Sequence, residues 1–200
     1  MVTRPEFVEK FDWNADYSVS PDKRVQLWKT SKDGFELQNK SLLQADWGSN
    51  GYLAVKYSNW AMDDNGIDAA NSPAATDQLG GDYAMIRLAE IYLSAAEAIL
   101  NGAGSADKAL TYVNYIRERA GLDPYTSLNL VELQDERCRE LYTESTRRSD
   151  LIRYGKWISG YDWSWKNQVP EGSDFSSNFI VYPLPSTTVS RNGYTQNPNY

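Results

Sequence analysis

The chain of 200 residues contains no histidine. That removes Ser-His-Asp and Cys-His nucleophilic catalysis and every histidine-ligated metal site. A single cysteine, Cys138, excludes an internal disulfide and a cysteine-built zinc centre. It leaves the redox compartment open, since a chain this long needs no covalent staple. No run approaches the roughly 18 apolar residues of a membrane-spanning helix. The opening Met1-Val2-Thr3-Arg4-Pro5-Glu6 has no apolar signal core. The chain is therefore expected to be cytoplasmic, or a trimmed or truncated form of an exported protein. Cations are outnumbered, 20 Lys and Arg against 27 Asp and Glu, for a net charge of -7. An acidic chain repels phosphates, which argues against nucleic acid and anionic membrane surfaces.

Aromatic residues are plentiful: 14 Tyr, 7 Trp and 5 Phe. In a hydrophilic chain they suggest ring faces used at a surface. Three textures follow one another. Residues 1–82 are polar and aromatic, with turns at Asp33-Gly34, Asn50-Gly51 and Asn65-Gly66. Tyr52–Tyr57 reads as a short strand, and Phe35–Gln38 as a weaker one. Residues 83–155 are helical. Leu88, Ile91, Tyr92, Ala95 and Ile99 form a stripe along a helix from Ala84 to Asn101, with Asn101-Gly102 as its left-handed stop. Ser105 opens a second helix with the stripe Ala106, Ala109, Leu110, Val113, Ile116 and Ala120, ended by Gly121. The short connection predicts an antiparallel hairpin with Ala95 buried at its contact. Asn129 and Glu132 form a capping box for a third helix, whose inner residues are Leu130, Leu133, Arg137, Cys138 and Leu141. A fourth helical piece covers Arg147–Tyr154. Residues 156–200 lose periodicity, and two prolines keep Phe179–Pro185 out of a central strand. The expected architecture is mainly α, with long aromatic loops and a few short strands.

Glu136, Glu140 and Glu144 recur every four residues on one helical face. Such carboxylates could serve glycoside hydrolysis or hold a cation. Arginines three residues away favour a lattice of structural ion pairs instead: Glu144 with Arg147 or Arg148, Arg147 with Asp150, Asp150 with Arg153, and Glu136 with Arg139 or Glu140 with Arg137. Neutralised carboxylates suit neither a general acid nor a cation site. Asp63–Asp68 looks like a calcium loop, but its glycine is misplaced for an EF-hand, and a polar turn is the simpler reading. Asn101–Gly104 holds a Gly-x-Gly that follows a helix rather than a strand, unlike a dinucleotide site. Cys138 reads as a small buried apolar residue. Neither a metal nor a cofactor is called for.

The tryptophans Trp28, Trp47, Trp60, Trp157, Trp163 and Trp165 lie outside the patterned helices, beside Gly, Asn, Asp and Ser. A sugar ring can lay its C–H face on such a ring while its hydroxyls bond to neighbouring polar groups. The candidate contacts are Trp28, Trp47, Tyr57 and Trp60, with Asp46, Asn50, Asn59 and Asp63 as hydroxyl partners. The alternative is that each tryptophan plugs a loop onto the helices.

At this point four motifs, in order, resemble the SusD/RagB family of surface glycan-binding lipoproteins. They are Asp82–Ala98 (DYAMIRLAEIYLSAAEA), Ala109–Gly121, Glu136–Gly155 and Tyr182–Tyr200. Ser145, Gly193 and Asn199 depart from the family pattern. The first 82 residues match loosely. The chain resembles the C-terminal portion of such a protein, with its lipidated cysteine and earlier TPR-type helix pairs absent. The resemblance implies a mainly α, TPR-like superhelix and a glycan-contacting region in 1–82. It implies a helical core at 83–155 and a C-terminal segment, 156–200, packed on the helices. It makes Arg87, Glu90, Glu136, Arg137, Glu140, Glu144, Arg147, Asp150 and Arg153 architectural. It implies an oligosaccharide or polysaccharide ligand, a SusC-like TonB-dependent transporter as partner, an outer-membrane location reached through a lipid anchor, no nucleic acid and no catalysis. A helix-pair module contacting protein is the second reading, and a glycosidase using Asp63, Asp64 or the Glu136–Glu144 face the third.

Overall fold

The computed structural model describes residues 3–37, 51–56 and 84–200, with the backbone of two short strands at 61–63 and 66–68. The architecture is mainly α. Helices α1 (Pro5–Val8), α2 (Leu88–Ala98), α3 (Ala106–Arg119), α4 (Leu130–Glu140), α5 (Arg147–Arg153) and α6 (Ser186–Asn192) are joined by long irregular segments. Strands β1 (Ala61–Asp63) and β2 (Gly66–Asp68) pair antiparallel, with Ala61 opposite Asp68 and Asp63 opposite Gly66. Asp63 and Gly66–Asp68 of the segment that looked like a calcium loop thus lie in paired strands, and Asp64 and Asn65 lie outside the described residues. The strand expected at Tyr52–Tyr57 is reduced to one bridge, Leu53 with Lys29, and Tyr57 lies outside the described residues.

Local signals place the helix ends. The Asn129 side chain accepts from the backbone N–H of Val131 and Glu132, and Glu132 accepts from the Asn129 N–H in return. Orphan donors at the N-terminus of α4 are thus satisfied reciprocally. α2 runs into a widened turn, Ile99–Ala103, in which Gly102 takes φ +108°. A side chain there would clash with its own backbone, so glycine permits the reversal. The chain returns antiparallel, and Tyr92 before the turn stacks on Tyr112 after it at 5.2 Å.

The rotation of α2 differs from expectation. Leu88 and Ile91 are 61% and 50% exposed, while Leu93 and Ala96 are buried and Ala95 is half-buried. Apolar residues surround most of this helix, so periodicity alone could not choose its inner face. Leu93 and Ala96 pack against Ala109, Val113 and Ile116 of α3 and Leu133 of α4. Ala106, expected inside, is exposed.

A second core is built from the N-terminal segment. Val8, Phe11, Val25, Trp28, Tyr52 and Ala54 surround Tyr142, which follows α4. Gly51 lets this segment close: a Cβ there would stand 1.8 Å from the Thr3 carbonyl oxygen. In its absence Thr3 and Tyr52 exchange backbone and side-chain hydrogen bonds at 3.0–3.1 Å.

The C-terminal segment is held by side chains standing in for a strand partner. Pro183 and Pro185 cannot donate. Gln196 uses both ends of its amide on the Leu184 backbone at 2.8 Å, and Asn197 donates to the Tyr182 carbonyl at 2.6 Å. The Tyr200 hydroxyl donates to Val181 at 3.0 Å. The segment therefore packs back on itself despite having almost no regular ladder.

Candidate functional site

Between the two cores lies a lattice of buried charge. Glu136 is fully buried and accepts from Arg24 at 2.7 Å, Arg117 at 3.3 Å and Arg139 at 2.7 Å. Glu140 accepts from Arg24, Arg87 and Arg119 at 2.6–3.3 Å. Glu144 takes both Arg87, at 2.8–2.9 Å, and Lys56. Arg137 forks onto Asp150 at 2.9 and 3.0 Å, and Arg153 bridges Asp150 and Glu97. Two of the expected i,i+3 pairs are present, Glu136 with Arg139 and Asp150 with Arg153. The others are corrected: Glu144 is held from distant segments rather than by Arg147 or Arg148, and Glu140 by Arg24, Arg87 and Arg119 rather than Arg137. Arg147 forms no ion pair among the described residues; its guanidinium lies 5.2 Å over the Tyr161 ring. Glu90 likewise forms none among them.

Three carboxylates of this lattice are shifted from their ordinary range. Burial pushes Glu97, Glu136 and Glu144 upward, but hydrogen bonds and arginine charge outweigh it and hold all three below the usual carboxylate range. A depressed carboxylate pKa stabilises the fold above the ordinary value near 4.5, and that contribution is lost as pH falls through the folded value. Tyr142 runs the other way: burial pushes its phenol up to about 12. Its contribution is present below the ordinary value of 10.0 and lost as pH rises towards 12. With no histidine to titrate between, stability is expected to be flat from about pH 6 to 8 and to fall on both sides. Denaturant midpoints measured across pH check this; a slope inside that window would contradict it.

Of the candidate sugar contacts, Trp28 is corrected. It is 4% exposed, packs on Phe7, Phe11, Trp13 and Tyr142 at 4.9–6.0 Å, and donates its indole N–H to the Tyr142 hydroxyl at 3.0 Å. Its ring is packed into the core, although the residue also borders the cleft beside Trp13. Trp47, Tyr57, Trp60, Asp46, Asn50 and Asn59 lie outside the described residues, and Asp63 is seen only as backbone in β1. Trp13, absent from the sequence-based candidates, lines a cleft of about 620 Å³ together with Ser18, Gln26, Lys29, Thr30 and Asp33. Its ring is backed by Trp28 and Tyr52, and its N–H is spent on the Val8 carbonyl at 2.8 Å. A half-buried ring held by its neighbours, surrounded by hydroxyl, amide, ammonium and carboxylate groups, can stack one sugar face and bond its hydroxyls. Its signal in the sequence was the cluster Phe11, Trp13 and Tyr17.

Residues 28–200 match the profile of the SusD family. The chain belongs to that family. It is 34% identical over 155 residues to the starch-binding protein SusD of Bacteroides thetaiotaomicron, covering 76% of this chain and 26% of that one. It is also 32% identical over 132 residues to SusD-like protein P2 of Formosa agariphila, covering 60% of this chain and 26% of that one. The chain thus spans about a quarter of the length of these relatives. A SusD superfamily protein from Parabacteroides distasonis shares the fold at TM-score 0.57 and 23% identity, over 100% of this chain and 42% of that one. The stretches that resemble SusD-family motifs coincide with the lattice. The Arg87 that opens α2 reaches Glu140 and Glu144, and the α4 and α5 motif supplies the buried carboxylates.

Proposed function

We propose that this chain binds oligosaccharide or polysaccharide at the outer-membrane surface of a bacterium, as the SusD-like part of a nutrient-uptake system, and delivers it to a SusC-like TonB-dependent transporter. The observation that carries the reading is the SusD-family match over 28–200, joined to 34% identity with a protein named for starch binding. The glycan-contacting region is residues 1–82, where the Trp13 cleft supplies a ring and polar rim. Hydrolysis is disfavoured, because a general acid needs a raised pKa and Glu136 and Glu144 are held low. A protein-binding module is the second reading, favoured by Met85, Ile86, Leu88 and Ile91, which stand exposed together.

Affinity electrophoresis of the chain in starch and other polysaccharide gels tests the first reading. Open-sided stacking gives weak affinity, on the order of micromolar to millimolar. Trp47→Ala or Trp60→Ala should weaken a cognate glycan at least about tenfold, roughly 1.4 kcal/mol, with the melting temperature kept. Unchanged retardation in both variants would remove these two rings from the site; retardation of the folded chain by no polysaccharide would favour the second reading.

A further inference from the structure

We infer that a second carbohydrate site, taking a sugar residue that carries a carboxylate, lies in the cleft between α1, the α4–α5 connection and the Tyr161–Trp163 loop. It does not depend on the Trp13 cleft. The space is about 550 Å³, lined among others by Glu6, Phe7, Thr143, Arg147, Tyr161 and Trp163. That is within the range of small-ligand pockets.

The wall has unmet hydrogen-bonding capacity. Among the described residues five buried side-chain polar atoms lack a partner, and three belong to this cleft: Glu6 Oε2, Thr143 Oγ1 and Arg147 Nη1. Folded proteins rarely leave such atoms unpaired, and a cluster of them along one cavity marks a place where a ligand completes the bonding. The carboxylates near Arg147 are already taken. Asp150 serves Arg137 and Arg153, Glu144 serves Arg87 and Lys56, and Asp135 serves Lys10. Arg147 therefore keeps a guanidinium charge with no carboxylate of its own, a fork suited to an incoming one. Glu6 spends one oxygen on the Ser164 N–H and hydroxyl and leaves the other free to accept from a sugar hydroxyl. Thr143 stands at φ +65° and Ser145 at +61°. Such backbone is strained for a β-branched residue, and strain of this kind gathers at ligand sites. Phe7 and Trp163 border the cleft and offer ring surface for the C–H face of a sugar, while the Tyr161 ring already carries Arg147 at 5.2 Å and Lys10 at 5.8 Å.

The combination selects the ligand class. A neutral sugar brings no charge to Arg147, whose guanidinium otherwise meets the Tyr161 ring. A bare anion uses neither Glu6 nor the rings. A pyranose with a carboxylate uses all of them.

Calorimetric titration of the full chain with tri-galacturonate, maltotriose and acetate tests this. Tri-galacturonate should bind, Arg147→Gln should weaken it at least tenfold, and retention in polysaccharide gels attributed to the Trp13 cleft should stay as in the parent chain. Hydrogen exchange on the unaltered chain gives a reading even if Arg147→Gln misfolds: protection should appear at 141–146 and 161–165 with tri-galacturonate alone. The inference is overturned if tri-galacturonate does not bind a folded chain, if acetate competes equally, if Arg147→Gln binds as well as the parent, or if protection appears elsewhere. Failure of polysaccharide binding with tri-galacturonate still bound would reject the Trp13 reading and leave this one standing.

Discussion

Glu136→Ala should cost about 3–5 kcal/mol, the largest loss expected from any single charge in the protein. The side chain is fully buried, and three arginines converge on it from the N-terminal segment, α3 and α4 itself. Removing it does not merely delete contacts. Arg24 keeps Asp22 at 2.7 Å, Arg117 keeps the Asp123 carbonyl at 2.8 Å and Arg139 keeps the Tyr125 hydroxyl at 2.8 Å. Each guanidinium stays in place, so positive charge is left in a low-dielectric interior without its balance. For a domain of this size such a loss lowers the melting temperature by on the order of 10 °C. Glu136→Gln, which keeps shape and one acceptor, should fall between. Arg119→Ala is the control: its side chain is 60% exposed, and its pair with Glu140 should be worth no more than about 1 kcal/mol. Equal losses for Glu136→Ala and Arg119→Ala in denaturant titrations would show that burial does not set the scale.

What was legible in the sequence was what is decided locally. The Asn129–Glu132 box and the Gly102 turn act within one helical turn, so local sequence locates both. The i,i+3 ion pairs Glu136 with Arg139 and Asp150 with Arg153 were legible for the same reason. The rest depended on partners far along the chain. Glu144 is claimed by Lys56 and Arg87, and Glu136 by Arg24, none of which helical spacing can reveal. α2 is a different case: with apolar side chains nearly all round, its inner face is chosen by α3 and α4 rather than by its own pattern. The three-residue strands of the hairpin were too short to show alternation. Trp28 misled because its neighbours in sequence are polar while its neighbours in space are rings. The indole N–H that seemed to need water finds the Tyr142 hydroxyl instead.

Trp28→Ala should therefore act on stability and not on binding. The ring fills the centre of the N-terminal core, edge-on to Phe11 at 4.9 Å and to Tyr142 at 5.6 Å and nearly parallel to Phe7 at 5.6 Å. Truncating a buried tryptophan leaves a cavity that close-packed neighbours fill only in part, at a cost of about 3–5 kcal/mol. The Tyr142 hydroxyl also loses its donor, although it still donates to the Arg24 carbonyl at 3.0 Å. The damage should spread to the Trp13 cleft, because Trp28 is the surface on which Trp13 rests. Apparent glycan affinity would then drop through unfolding, and the two effects need separating. Trp28→Phe separates them: it keeps most of the packing and removes the N–H, leaving the Tyr142 oxygen short of one bond, for a loss of about 1–3 kcal/mol. Well below its melting temperature, affinity per folded molecule should equal that of the parent chain, whereas Trp13→Ala should lose affinity with a smaller loss of stability. A tenfold loss of glycan affinity in folded Trp28→Phe would return this ring to the binding surface and overturn its place in the core.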